Sequence, residues 1–307
     1  MQVLLIHNPG AGAQSDRDAD RLVALLQHAG HEVHYQSATD VAWDAILQAP
    51  LDVIAVAGGD GTVSRVAKHV AGRGIPVTVL PSGTANNISR TLGLHDRSFE
   101  ELIAGWPHAR RVKLDVGVAK GPWGERRFVE GVGAGLFTCL LSDESSERTL
   151  TKIERPDERV AGALQMLAKH AVDCVEIDLQ ATLDGADISG RYVLLEAVNI
   201  LYVGPNLFLA PDSEPGDGTF DVVLATAAQR DRLGEYLAKW QDNRERLAVL
   251  PTHRGKHLRI EWTGFHLHID DELWPANGDV PQAQQGTIEL MIDGRTVEFL
   301  VPDAAGG

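Results

Sequence analysis

A run of small and β-branched apolar residues, Val53–Ala57, passes without a spacer into Gly58-Gly59-Asp60-Gly61-Thr62 and then into the helical stretch Val63–Ala71. A strand that ends in a glycine turn and continues as a helix is the unit of parallel α/β sheets, where each crossover helix packs back on the sheet. The same order surrounds it: strand Val3–Ile6, a helical segment near Asp16–His28, strand Val33–Tyr35, the stretch Val41–Gln48, and strand Val77–Leu80. This alternation predicts a βαβα unit over residues 1–111, a parallel sheet with helices on both faces. Such sheets bind ligands beyond the carboxyl ends of their strands, which is where His7–Ala13, Gly58–Thr62 and Pro81–Asn87 fall.

After Arg110-Arg111 the texture changes to short alternating runs with many glycines, from Val112–Val118 and Phe128–Val132 through Val175–Leu183, Tyr192–Asn199, Phe220–Ala225, His257–Trp262 and Phe265–Ile269 to Thr287–Ile292 and Thr296–Val301. A mainly antiparallel second domain over 112–295 is expected, interrupted by helices near Glu158–Ala171 and Arg232–Trp240. The length of 307 residues suits two cores better than one.

The formal net charge of −15 repels the nucleic-acid backbone and anionic bilayers, so nucleic acid is excluded as a partner and membrane-surface contact is at most transient. Arg126-Arg127 beside Trp123 is the one basic and apolar patch, and reads as a solvated loop. Only four consecutive apolar residues, Val3–Ile6, follow the start, so the amino terminus reads as a first strand and not as a leader. Cys139 and Cys174 are expected to be unpaired buried thiols, in keeping with a reducing cytoplasm.

Glycines at 58, 59 and 61 let a backbone approach phosphate closely, and the N–H groups at a helix start attract anions. A carboxylate repels phosphate, so Asp60 reads as a Mg²⁺ partner, while Thr62 supplies a hydroxyl. The chain has no G-x-x-x-x-G-K-S/T, and Gly10-Ala11-Gly12 is only half of a dinucleotide fingerprint. Pro81–Asn87 adds hydroxyls and amides that bond phosphate oxygens without adding charge.

In combination, GGDGTVS (58–64), PSGTANNISRTLGL (81–94), HNPGAG (7–12), VKLDVG (112–117), EGVGAGL (130–136), the segment 199–224 and IDDELW (269–274) resemble the diacylglycerol kinase catalytic-domain family. That family includes soluble bacterial lipid kinases and sphingosine kinases. The resemblance implies an α/β nucleotide-binding domain of the NAD kinase and diacylglycerol kinase type, completed by 296–303, and a β-sandwich domain carrying the base. It implies ATP and Mg²⁺, a diacylglycerol-like, sphingoid or other hydroxyl-bearing acceptor, a cytoplasmic location and a homodimer. Carried over by position, Asn8, Gly12, Thr39, residues Gly58 to Ser64 (with Val63), Gly83, Thr84 and Asn86 hold the nucleotide. Asp60 and Asp115 belong to the Mg²⁺ network, and Asp217 with the backbones of Glu214 and Thr219 matches a second, structural metal turn.

The base matches the D-x-E of Asp270 and Glu272, since a hydroxyl must lose its proton as the phosphoryl group is transferred. At i and i+2 of a strand the two carboxylates are expected on one face, with Asp271 turned away. Two positions depart from the family: Asn87 stands where Asp is usual, and Asp271 where glycine is usual, a place that asks for glycine-like backbone. The histidines, His266 and His268 among them, read as structural or solvent-facing, and Trp262 and Trp274 flank the base. An NAD-kinase-like enzyme, another small-molecule hydroxyl kinase, and a nucleotide-binding regulatory domain without turnover are the competing readings.

Overall fold

The computed structural model describes residues 1–11, 19–40, 46–47, 49–240, 250–275 and 285–303. Gly12, the start of the expected helix at Asp16, and most of Val41–Gln48 lie outside these residues. The chain forms two compact units, one of Met1–Leu114 with the chain from Arg295 onward, the other of Asp115–Gly294.

The first unit holds β1 (Gln2–His7), α1 (Ala19–His28), β2 (Glu32–Ser37), β3 (Val53–Gly58), α2 (Asp60–Val70), β4 (Val77–Pro81), α3 (Asn87–Thr91) and α4 (Phe99–Gly105). Its strands are parallel in the order β4-β3-β1-β2, with Val3 opposite both Val33 and Val53 and Ile54 opposite Val77. All six residues of β3 are buried, as its unbroken apolar run requires of a strand covered on both faces. The edge strand β2 has no buried residue and leaves Tyr35 42% exposed. α1 buries Leu22 and Leu26, and α2 buries Val63, Val66, Ala67 and Val70.

The second unit begins within β5 (Arg110–Gly121) and continues through β6 (Gly124–Phe128), β7 (Gly131–Gly135), α5 (Leu136–Leu141), α6 (Glu144–Leu150), α7 (Pro156–Asp173), β8 (Ile177–Leu183), β9 (Ala186–Asp187), β10 (Gly190–Tyr192), β11 (Leu194–Val198), β12 (Phe220–Ala225), α8 (Arg230–Lys239), β13 (Thr252–Gly255), β14 (His257–Trp262), β15 (Leu267–Ile269) and β16 (Glu272–Trp274). One antiparallel sheet runs β13-β12-β11-β7-β15-β16; β10, β8, β14 and the start of β17 (Gly286–Val301) form a second antiparallel run. Side chains of both meet in one core around Phe128, Leu195, Phe220, Ile260, Trp262 and Leu290. β17 is a single 16-residue strand where two were expected; Leu290 pairs with Leu258, and Phe299 pairs in parallel with Val77 of β4.

The cysteines correct the sequence reading. Cys139 on α5 and Cys174 at the end of α7 form a disulfide, with Cα atoms 6.4 Å apart. The sequence carries no signal for helix α5, and it is α5 packing against α7 that brings the two residues together. Closing a 35-residue loop constrains the unfolded chain, so reducing the protein, or the Cys139→Ser/Cys174→Ser variant, is expected to lose about 3–4 kcal/mol in urea unfolding. Identical midpoints with and without reductant would show the bond to be inconsequential for stability.

Candidate active site

The turns after β1, β3 and β4 are laced together by short polar contacts. Asn8 N–H donates to Ala57 O at 2.9 Å and its side-chain amide to Thr62 Oγ1 at 3.1 Å, while its Oδ1 accepts from Gly10 N–H. Ser82 N–H donates to Gly58 O. Between the second and third turns the backbones nearly touch: a Cβ on Gly83 would lie 2.3 Å from Gly59 Cα, and one on Gly58 would meet the Thr62 side chain at 2.9 Å. The glycines are therefore required by close approach of chain to chain. α2 starts behind Gly59 without a side-chain cap, and the Asp60 carboxylate accepts Ile88 N–H at 2.9 Å, tying α2 to the start of α3.

Several sequence-chosen residues hold the turns rather than present free groups. Asn86 sits at φ 54° and closes a two-way bond with the Gly83 peptide, accepting from N–H and donating to C=O at 2.9 Å each. Val63 and Ser64 are buried on α2. Thr39 lies on the separate turn after β2, exposed and bonded to Ser37 Oγ, with neighbouring Ala38 N–H bound to His7 O.

In the second unit, Asp270 and Asp271 form the tight connection between β15 and β16, with Ile269 paired to Glu272. Asp270 is 7% exposed, and its Oδ1 accepts N–H groups of Val129 (3.0 Å), Glu130 (2.9 Å) and Gly131 (3.3 Å), while its own N–H donates to Gly131 O. The carboxylate thus occupies a preformed anion nest. Two expectations need correcting. Asp270 and Glu272 do not share a strand face, because Asp270 belongs to the turn; the Glu272 side chain is 69% exposed and paired with Arg126 at 3.1 Å. The left-handed backbone belongs to Asp270, at φ 52°, and not to Asp271.

Of the two expectations for His268, structural or solvent-facing, the structure shows the first: the side chain is buried. Its Nε2 lies 3.0 Å from both Glu196 oxygens and its Nδ1 2.7 Å from Asp270 O. Burial pushes the Glu196 carboxyl up; for His268, burial acts downward, but Glu196 and the Asp270 carbonyl outweigh it and hold the imidazole above its usual value. Glu196 was detectable in principle, as one acid inside the fully buried strand LLEAV. Asn199, 1% exposed, donates to both Asp115 O and Val129 O, fixing the bend between β6 and β7 that carries the nest. Trp274 packs at steep ring angles against Trp262 and Trp123, with centroids 4.8 and 4.1 Å away, so Trp123 is tucked against the unit and not splayed toward solvent.

Asp115 is 2% exposed and accepts Gly218 N–H at 2.7 Å, which places it against the 214–219 turn. In that turn Asp217 Oδ1 is taken by Thr219 N–H and Oγ1, and Arg254 Nη1 stands 3.9 Å from its other oxygen. Arg254 is held more closely by Asp221, at 3.2 Å, so one guanidinium is shared between two acids of this region. Among the described residues no three His, Cys, Asp or Glu side chains gather as a metal cage. A Mg²⁺ ion carried on phosphate oxygens asks for only one or two carboxylates, and Asp60 is the acid within the glycine turns.

Burial raises the Asp115 carboxyl above its ordinary value, only partly offset by the Gly218 N–H. The folded protein then binds this proton more tightly than the unfolded chain, so the group's stability contribution falls as pH rises above the ordinary carboxylate range. Asp115→Asn, which still accepts from Gly218, is expected to raise the urea midpoint at neutral pH, with the gain vanishing in acid. An equal or lower midpoint at pH 7 would contradict the burial cost.

Glycine turns at the carboxyl ends of a parallel sheet, followed in sequence by an antiparallel unit with a nested acid, are the build of a phosphotransferase, and the chain is a kinase. Residues 2–119 match the diacylglycerol kinase catalytic domain. The chain is 25% identical over 285 residues to the diacylglycerol kinase of Mycobacterium tuberculosis (strain CDC 1551 / Oshkosh), covering 89% of each, and 27% identical over 263 residues to that of Bacillus subtilis (strain 168), covering 83% and 79%. A crystal structure described as a diacylglycerol kinase from Bacillus anthracis str. Sterne shares the fold, with a TM-score of 0.67 at 22% identity over 99% and 98% of the chains. The likeness to diacylglycerol kinases thus runs from the family match over residues 2–119 to relatives aligned over most of the chain. No helix among the described residues is long and apolar enough to cross a membrane.

Proposed function

We propose that the chain transfers the γ-phosphoryl group of ATP, with Mg²⁺, to a hydroxyl of a diacylglycerol-like lipid. The observation that carries this reading is the Gly59–Gly83 contact, which holds two glycine turns together at the end of the parallel sheet, where backbone N–H groups and the start of α2 favour phosphate. Mg²⁺, when bound, neutralises charge on the phosphate oxygens. Asp60 is the carboxylate nearest in sequence to those turns, and its Ile88 contact fixes its direction. Asp270 takes the acceptor hydroxyl's proton; its backbone donors hold the carboxylate in place. Exposed Glu272 has no part in the proton transfer.

The acceptor class follows the printed names of the relatives. Purified protein with γ-labelled ATP, Mg²⁺ and mixed micelles of diacylglycerol, sphingosine and monoacylglycerol is expected to give a labelled, solvent-extractable product from diacylglycerol. Label appearing in NAD, or nucleotide binding without transfer to any lipid, would contradict the proposal.

A further inference from the structure

Glu196, Gly133 and His268 stand in one row across three neighbouring antiparallel strands, β11, β7 and β15, each acidic or basic residue directly opposite the glycine. A Cβ on Gly133 would lie 2.1 Å from Glu196 Oε1. The glycine is the gap through which the two side chains meet, and the meeting is buried: Glu196 is 1% exposed and His268 9%. An apolar pair of the same volume would serve a core at least as well as a buried charged pair, so packing alone gives no reason for this one.

The reason lies at the other ring nitrogen. Asp270 O can only accept, so Nδ1, 2.7 Å away, carries hydrogen and donates. Nε2 and Glu196 then share one further proton, and the pair is neutral overall wherever that proton sits. The donor to Asp270 O is thereby fixed. The carbonyl it holds belongs to the one residue of the turn at positive φ, 52°, whose carboxylate rests on the Val129, Glu130 and Gly131 N–H groups. Phe137, with ring centroids 5.9 Å apart and planes at 75°, meets the imidazole in an edge-type contact on a further side.

We infer that Glu196 and His268 are positioning residues for phosphoryl transfer: the Nδ1–H bond locks the Asp270 main chain in its left-handed turn and so aims the nested carboxylate. This rests on the reading of Asp270 as the base. The test uses two amides that replace different ring nitrogens, both in a Glu196→Gln background so that no charge is left unpaired. His268→Asn places its amide near Nδ1 and keeps the donor to Asp270 O; His268→Gln reaches toward Nε2 and loses it. The first is expected to keep kcat within about threefold, the second to lose about 30-fold or more, both with unchanged KM for ATP, since a displaced general base costs turnover and not nucleotide binding. Equal kcat in the two folded variants overturns the inference.

Asp270→Asn in the same assay separates the two claims. Full turnover in Asp270→Asn removes the base itself, whereas its loss beside an unaffected His268→Gln variant removes only the positioning role. Nitrogen-15 spectra of the histidine rings in the unmodified protein give a readout independent of any variant: His268 Nδ1 is expected to stay protonated from about pH 5.5 to 8.5. A His268 ring bearing hydrogen on Nε2 alone contradicts the inference outright.

Discussion

Gly83→Ala is expected to lower Mg²⁺·ATP affinity about 100-fold, since displacing a binding element by around 1 Å carries a cost of that order. The new methyl carbon would start 2.3 Å from Gly59 Cα and 2.8 Å from Asn86 Oδ1. Neither neighbour can give way cheaply. The first is backbone at the start of α2, and the second is locked in its two-way bond with the Gly83 peptide. The turns must therefore separate, and the N–H groups lining them cease to converge. Because the strands beneath are fully buried and untouched, the loss should appear in nucleotide titration with the unfolding midpoint little changed. Gly234→Ala, on α8 with open space around the new carbon, is the control and should bind like the parent. Parental affinity in Gly83→Ala would mean that the two turns do not hold the nucleotide.

Asp270→Asn is expected to reduce kcat by about 10²–10⁴-fold, the range general-base groups contribute, while KM for ATP changes little. The amide oxygen can still accept Glu130 N–H, so the turn is retained and the loss reports the proton acceptor. Glu272→Gln separates the two acids of the motif. Its surface ion pair with Arg126 contributes about 0–1 kcal/mol, so that variant should keep parental turnover. A severe loss in Glu272→Gln with a mild one in Asp270→Asn would exchange their roles.

The parallel sheet was readable because its strands announce themselves chemically. Val53–Ala57 is an unbroken apolar run that only a doubly covered strand tolerates, and the glycines after it mark the turn. Helix α4 has an equally local signal, the capping box of Ser98 and Glu101. The motif points to Asp270, but strand alternation does not carry across residues 270–272, because the chain reverses there in two residues.

What stayed hidden depends on register. Glu196 and His268 are 72 positions apart and meet only because β7 lies between their strands and carries glycine at the shared position. Asp115 joins the 214–219 turn across 103 positions by the same kind of long-range pairing. The disulfide was missed for a third reason, since residues 136–141 turn helical directly after a buried strand and nothing in LFTCLL signals that change.

The glycine turns of the first unit are the proposed seat of the phosphates, and amide chemical-shift mapping reads that directly. With Mg²⁺·ATP titrated into nitrogen-15-labelled protein, the amides of Gly59 to Ser64 and Gly83 to Asn86 are expected to shift together and saturably. Saturable shifts confined to other segments, or none at millimolar nucleotide, would contradict it.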